Sequence, residues 1–138
     1  DFYQVPISQI NRIKNGEDYV TPDGEVIPNS RLTLPANPPR RYAYCSDTIY
    51  NERIIEQIQG VDLLFHEATF AQNELPRARE TYHTTARQAA HIALAANVKN
   101  LLIGHFSARY ESDAIFLQEA SEIFPKCQLA KEGLYINI

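Results

Sequence analysis

Candidate metal ligands and acid–base residues recur after apolar, strand-like stretches of this 138-residue chain. Each such stretch is followed within two residues by a candidate: Asp47 after 42–46, His66 and Glu67 after 61–65, and His105 after 100–103 and Gly104. The carboxyl ends of parallel strands share one sheet edge, which is where open α/β sheets bind ligands. Asp and His are ligands of Zn²⁺ or Mn²⁺, and a carboxylate can bridge two metal ions. The pattern predicts a metal site at that edge.

Two loop residues extend this set. His83 precedes a predicted Ala-rich helix, and Arg109 follows His105 by four residues on the same loop. A guanidinium in that place is suited to holding a phosphate through two parallel hydrogen bonds.

Each candidate also has an interpretation without chemistry. Asp47 is a suitable N-cap for the next helix, and Arg109 can be a surface residue paired with Glu111. For the histidines, the alternatives are backbone hydrogen bonding at His66 and His105, simple exposure at His83, and a packed or exposed helical position at His91.

From residue 41 onward, short apolar runs alternate with segments whose apolar residues have the spacing of a helix. This pattern predicts an α/β fold with a mainly parallel sheet and right-handed crossovers. The predicted strands are 42–46, 61–65 and 100–103, the predicted helices are 50–59, 86–97 and 113–124, and 70–83 is a loop or irregular helix. A hairpin of 128–130 and 134–136, turning at Glu132-Gly133, is predicted to close the chain.

Residues 1–40 contain six of the eight prolines and form a separate Pro-rich segment. Within it we expect a helix at 5–14, two short strands at 19–20 and 26–27, and an irregular connection over 29–40. The predicted domain boundary therefore separates 1–40 from 41–138.

Composition limits the classes of protein to consider. The net charge of −4 argues against a generic basic nucleic-acid-binding face on this segment. No apolar run approaches the roughly 20 residues that span a bilayer, and no signal peptide is visible, so we expect no membrane partner. Cys45 and Cys127 are expected to be buried free thiols, which suits a cytoplasmic protein.

Four motifs in this order resemble those of ribonuclease Z, the tRNA 3′-processing endonuclease of the metallo-β-lactamase fold. They are Ser46-Asp47-Thr48, His66-Glu67-Ala68-Thr69, His83-Thr84-Thr85 and the run from Gly104 to Tyr110. The third motif departs mildly from the His-Ser-Thr of the family. The resemblance runs from about Val5 to the C-terminus.

The resemblance implies a role for each matched residue. Asp47 is similar to the aspartate that bridges two zinc ions, and His105 to the last histidine ligand. Glu67 and His83 are similar to the pair proposed to protonate the leaving 3′ oxygen. Ser107 and Arg109, within the run from Gly104 to Tyr110, resemble the phosphate-facing part of the final motif.

The resemblance also implies that the chain is the second, C-terminal βα half of an αββα sandwich, with helices packed on one face of its sheet. The family's His-x-His-x-Asp-His motif and tRNA-gripping arm are not in these residues, and Met is absent, so we expect a piece of a longer protein. The full-length protein would bind precursor tRNA and two zinc ions per site. The fragment, with an apolar sheet face left exposed, is expected to be inactive and to form a homodimer.

Two other functions stay open at this point. One is a different metallo-β-lactamase-fold hydrolase or phosphodiesterase. The other is a non-catalytic α/β binding module whose strand-end residues are structural caps.

The first prediction concerns zinc. Asp47 and His105 supply two protein ligands, and a zinc site in a protein has three or four. The 138-residue chain is therefore expected to bind zinc weakly or not at all when titrated by calorimetry. Sub-micromolar affinity would contradict this expectation.

Overall fold

A computed structural model describes residues 3–138 of the chain. Contacts between residues divide the chain into two compact units, Asp1–Pro39 and Arg40–Ile138. The second unit contains the predicted site.

The first unit is built from a helix and a hairpin. Helix α1, Ile7–Lys14, follows Pro6, and its buried residue Ile13 packs against Tyr19 and Ile27. Antiparallel strands β1, Tyr19–Val20, and β2, Val26–Ile27, form the hairpin, after which comes the short helix α2, Asn29–Leu32. The predicted helix and strands are confirmed, whereas α2 lies in a stretch predicted to be irregular.

The second unit contains a parallel sheet. Its strands are β3, Tyr42–Cys45, β4, Leu63–Glu67, β5, Leu101–Gly104, and β6, Cys127–Leu129. They lie side by side in that order, and every neighbouring pair is parallel. The predicted α/β class with a mainly parallel sheet is confirmed.

The helices of this unit are α3, Leu75–Glu80, α4, Ala86–Ala95, and α5, Ala114–Ser121. Thr85 caps α4: its hydroxyl accepts the Gln88 N–H while the Gln88 side chain accepts the Thr85 N–H. This reciprocal pair satisfies two of the N–H groups that a helix start leaves free. The buried alanines of α4 let the helix approach the sheet closely: Ala86, Ala89, Ala90 and Ala93.

The main core lies between α4, α5 and one face of the sheet. Leu64 pairs in register with Leu101, and His66 pairs with Cys45 on one side and Ile103 on the other. Residues two apart on a strand point to the same face, so all of these side chains share the face that the helices cover. Phe116 of α5 is fully buried in the same cluster. Burying a side chain of this size stabilises the fold by about 1.5–3 kcal/mol relative to exposure.

The other face of the sheet carries aromatic side chains. Tyr42 is 51% exposed and Tyr44 64% exposed, and the Tyr44 ring stacks on Phe65 at 4.6 Å between centroids. Gly104 permits close approach on this face, since a Cβ there would lie 3.0 Å from both the Phe65 ring and the Ala130 Cβ. Two tyrosines are thus exposed on this face. The apolar sheet face that the resemblance implies, and the homodimer, stay predictions.

Two predicted elements are wrong. Residues 50–59 form a 3-10 turn, Glu52–Ile54, followed by further turns rather than one α-helix. The isoleucine spacing that suggested a helix still serves packing, because Ile58 is buried in the main core.

The closing hairpin is also absent. β6 begins at Cys127 and pairs in parallel with β5, and the Ala130 N–H continues this pairing by donating to the Ile103 carbonyl at 2.7 Å. The strand thus joins the free edge of β5 instead of folding back, and residues 134–136 are not a strand.

Within residues 3–138 no helix is both long enough and apolar enough to cross a membrane.

The second prediction concerns the free thiols of Cys45 and Cys127. Burial raises the pKa of Cys127 to about 12 and also raises the pKa of Cys45. At pH 8 a thiol with a pKa of about 12 is roughly 10⁻⁴ thiolate, against roughly a quarter for an ordinary cysteine. In Cys45→Ser, where Cys127 alone reports, a disulfide reagent should therefore label the native chain at least about 100-fold more slowly than the urea-unfolded chain.

Cys127→Ser is the matched control, and its half-buried Cys45 should react faster than Cys127 does in the native fold. Equal labelling of native and unfolded Cys45→Ser would contradict the prediction.

Candidate metal and catalytic site

The predicted site residues lie at the carboxyl edge of the parallel sheet. Asp47 is two residues past the end of β3, Glu67 is the last residue of β4, and His105 directly follows β5. His83 lies just before α4, on the segment that also carries Thr84. Parallel strand pairing therefore gathers residues that are up to 58 positions apart at one edge.

Asp47, His83 and His105 form the cluster with the donor chemistry of a metal site. Each offers one ligand atom, and these atoms lie within 4.8 Å of one another. The Nε2 atom of His105 is 3.4 Å from the Asp47 carboxylate. One carboxylate oxygen and two imidazole nitrogens match the ligand types that Zn²⁺ takes in catalytic sites, so the residues fit the metal.

The backbone is left-handed at two of these residues. Asp47 has φ of 50° and His105 has φ of 62°. Residues other than glycine adopt such angles at a cost of order 1–3 kcal/mol, and Asn, Asp and His are the side chains found there most often. At each position this conformation turns the chain sharply as it leaves the strand.

Glu67 is the buried acid behind the cluster, with a side chain that is fully inaccessible to solvent. Its Oε1 accepts the Thr48 N–H at 2.9 Å and the His83 Nδ1–H at 2.8 Å. Its Oε2 accepts the Thr69 hydroxyl at 2.6 Å and the N–H groups of Thr69 and Thr84, each at 3.2 Å. The carboxylate thus joins three separate loops and fixes one nitrogen of the His83 ring.

These donors decide the ionisation of Glu67. Burial acts to raise the pKa of Glu67, but hydrogen bonds from Thr69, His83, Thr84 and Thr48 outweigh it, and the pKa is lowered. A buried carboxylate that accepts this many donors is held in its charged form.

Thr69 is a site residue that sequence reasoning missed. Its hydroxyl donates to Glu67 and also lies 2.9 Å from His105 Nδ1 and 3.3 Å from His83 Nδ1. The available signal was its place two residues after Glu67 in the His-Glu-Ala-Thr motif, but no pattern in the sequence predicts which histidines a threonine will meet.

Aromatic packing anchors the loop that carries His105. Phe106 stacks on Phe116 of α5 at 4.4 Å, and Tyr110 meets the same ring edge-on at 4.8 Å. The Tyr110 hydroxyl accepts the Ala71 N–H at 3.0 Å. Between these anchors, the backbone N–H of Ser107 donates to the Thr69 carbonyl at 3.0 Å. Both ends of the loop are therefore fixed to the core.

Arg109 lies on the exposed side of this loop. Its guanidinium is 5.4 Å from the centre of the Phe70 ring and 3.7 Å from the Glu74 carboxylate, so its acidic partner is Glu74 rather than Glu111. The side chain remains 49% exposed. A half-exposed guanidinium with one loose ion pair can exchange that partner for a phosphate.

The alternative interpretations have different outcomes. Asp47 does not cap the next helical turn, because the capping side chain there is Asn51. His66 lies inside β4 instead of after it, and its Nδ1–H donates to the Glu67 carbonyl at 2.8 Å. His91 is an exposed residue of α4. For His66 and His91, the interpretation without chemistry is confirmed.

The exclusion of His66 follows from strand geometry. Successive strand residues point to opposite faces, so His66 enters the helix-covered core while Glu67 turns away from it. Burial lowers the pKa of His66. Among residues 3–138, its Nε2 is the buried side-chain nitrogen that lacks a hydrogen-bond partner.

Comparison with known proteins agrees with this architecture. A sequence model described as "Beta-lactamase superfamily domain" matches residues 21–106. A ribonuclease Z of Bacteroides fragilis is 67% identical over 138 residues, covering 100% of this chain and 45% of that protein. A ribonuclease Z of Porphyromonas gingivalis is 50% identical over the same length. The chain spans about half the length of the curated relatives it matches, and its assignment to their C-terminal half stays a prediction.

Solved structures show the same fold. The metallo-β-lactamase fold protein YhfI of Bacillus subtilis aligns with a TM-score of 0.61 at 25% identity, over 66% of this chain and 37% of that one. The short form of human tRNase Z aligns with a TM-score of 0.51 at 29% identity, over 68% of this chain and 30% of that one.

The third prediction concerns Glu67 and pH. Because its folded pKa is lowered, its charged form stabilises the fold fully above the unfolded pKa of about 4.3, and this stability is lost as pH falls through the folded value. Glu67→Gln should cost roughly 3 kcal/mol at pH 7, since it replaces a charged acceptor of several donors. The difference from wild type should shrink below about pH 4.3 in urea-unfolding measurements.

Glu119→Gln is the matched control. Burial raises the pKa of Glu119, whose carboxylate accepts the Gln72 N–H. Because its folded pKa is raised, Glu119 binds its proton more tightly in the fold than in the unfolded chain. Its contribution to stability therefore falls as pH rises, which is the opposite trend to that of Glu67. A Glu67→Gln deficit that does not change between pH 7 and pH 3 would contradict the prediction.

Proposed function

Because this chain belongs to the β-lactamase superfamily, we propose that it forms part of the active site of a zinc-dependent endoribonuclease that removes the 3′ trailer from precursor tRNA. The observation that carries the proposal is the cluster of Asp47, His83 and His105 in front of the buried Glu67, on a chain 67% identical to a ribonuclease Z. A non-catalytic module needs no such gathering of ligand atoms.

Asp47 and His105 are the proposed zinc ligands. Their facing atoms, a carboxylate oxygen and the ring nitrogen Nε2, are 3.4 Å apart. When bound, zinc supplies Lewis-acid chemistry to phosphodiester hydrolysis. Two zinc ions need more ligands than the cluster found among residues 3–138 offers, so we expect the rest of the full-length protein to supply the remaining ligands.

Glu67 and His83 form the proposed proton-donating pair. Glu67 accepts the Nδ1–H of His83 at 2.8 Å. This hydrogen bond fixes the orientation of the ring and leaves Nε2 as the nitrogen that can act on the substrate. Protonated on Nε2, His83 gives that proton to the 3′ oxygen as it leaves. Histidine suits this role because its ordinary pKa lies close to neutral pH.

Ser107 and Arg109 are the proposed phosphate contacts. Both lie on the loop that Phe106 and Tyr110 anchor to α5. Arg109 is half-exposed and pairs loosely with Glu74, so a substrate phosphate can replace that partner. One guanidinium on an acidic segment does not bind RNA generally, which leaves most of the tRNA affinity to other parts of the protein.

Two further features stay predictions: the homodimer and the cytoplasmic location.

The fourth prediction tests the metal ligands in the full-length protein. Asp47→Asn and His105→Asn should each lower cleavage of precursor tRNA at least about 100-fold and reduce bound zinc, measured by elemental analysis. Asparagine is chosen because it tolerates the left-handed backbone at both positions. His91→Asn, a histidine exposed on α4, is the matched control and should retain activity and zinc.

His83→Asn separates the two roles within the cluster. Loss of cleavage with retained zinc is the result expected for a proton donor, whereas loss of zinc would make His83 a ligand. Full activity in Asp47→Asn or His105→Asn would refute the metal site. Hydrolysis of small phosphodiesters without cleavage of precursor tRNA would instead favour the phosphodiesterase alternative.

A further inference from the structure

Thr69 occupies a position that the proposed chemistry does not use. It is 6% exposed and lies between the buried acid and the histidine cluster. Its single hydroxyl is within hydrogen-bond distance of both Glu67 and His105. It also lies 3.3 Å from His83 Nδ1, whose proton goes to Glu67 Oε1 at the shorter distance of 2.8 Å. A hydroxyl has one proton to donate and two lone pairs to accept with, so its role towards each neighbour can be worked out.

The carboxylate fixes the direction of the first hydrogen bond. Glu67 accepts backbone N–H groups from Thr48, Thr69 and Thr84 in addition to the His83 ring. An ionised carboxylate has no proton to donate. The 2.6 Å contact therefore has the Thr69 hydroxyl as donor and Glu67 Oε2 as acceptor.

The second hydrogen bond follows from the first. With its proton committed to Glu67, the Thr69 oxygen can only accept from His105 Nδ1, 2.9 Å away. A neutral imidazole carries its proton on one nitrogen, so a proton on Nδ1 leaves Nε2 with a lone pair. Nε2 is the atom that lies 3.4 Å from the Asp47 carboxylate.

We propose that Thr69 is a positioning residue whose hydroxyl holds the neutral His105 ring in the Nδ1–H tautomer, so that Nε2 faces Asp47 as a metal-binding atom. A metal-ligating histidine needs its other nitrogen protonated and held by an acceptor. Here the acceptor is a hydroxyl that a buried carboxylate orients in turn. The inference rests on the proposed function, because the metal-binding role of Nε2 belongs to it.

The tautomer is measurable without metal or substrate. In ¹⁵N-histidine-labelled, metal-free protein at about pH 8.5, well above the ordinary histidine pKa of about 6.5, long-range ¹H–¹⁵N correlations report which nitrogen carries the proton. His105→Asn, which tolerates the left-handed backbone at this position, identifies the signals of His105. Wild type should show the Nδ1–H form, and Thr69→Val, which removes the hydroxyl, should shift the ratio of tautomers roughly tenfold towards Nε2–H, the effect of one typical hydrogen bond.

Two variants control the experiment. Thr69→Ser keeps the hydroxyl and should retain the wild-type tautomer. Thr48→Val also removes a threonine hydroxyl, but Thr48 contacts Glu67 through its backbone N–H and its hydroxyl donates to the Ile49 carbonyl. It should leave the His105 tautomer unchanged.

An Nε2–H form in wild type would overturn the proposal, and that measurement does not depend on whether Thr69→Val folds. An unchanged ratio in folded Thr69→Val would also overturn it. Cleavage of precursor tRNA is not part of the readout, so failure of the proposed function and failure of the Thr69 role give different results.

Discussion

The buried carboxylate of Glu67 is the interaction on which the geometry of this sheet edge depends. It accepts backbone N–H groups from the segments after β3, after β4 and before α4, together with the His83 ring. A neutral side chain of the same shape could not accept from all of these donors at once. The ionised carboxylate therefore holds these three segments together, and it also orients the ring of His83.

A second constraint comes from α5 and the aromatic cluster around Phe116. Phe106 and Tyr110 pack on that ring, so the loop after β5 is fixed at both ends. Glu119 of the same helix accepts the Gln72 N–H, which holds the segment that carries Glu74, the partner of Arg109. Helix α5 thus supports the proposed phosphate contacts from behind, although none of its own residues belongs to the cluster.

Local patterns in the sequence were sufficient for the parallel sheet and for the gathering of Asp47, His83 and His105 at one edge. Apolar runs predict strands, and parallel pairing then brings the carboxyl ends of the strands together even when the exact boundaries are not known. The boundaries of the strands were less predictable. Strand β4 starts at Leu63 instead of 61, since the Asp62 carboxylate accepts hydrogen bonds from the Arg41 N–H and from Lys99. That shift of two residues brings His66 and Glu67 into the strand.

Elements that depend on partners far along the chain could not be predicted in the same way. Glu132-Gly133 is a sound local turn signal, yet the free edge of β5 decides where β6 pairs. The contacts of Thr69 are of the same kind, since its hydroxyl meets a histidine 36 residues away. Such contacts are products of the assembled sheet and leave no periodic trace in the sequence.

The left-handed backbone at Asp47 and His105 affects how sequence variation at these positions should be interpreted. Glycine and asparagine adopt this conformation readily, whereas β-branched and bulky residues are strained by it. Selection of a saturation library for activity would therefore deplete most substitutions at these positions for two reasons, a strained main chain and a missing ligand. Asparagine and glycine are the replacements whose depletion would report chemistry alone.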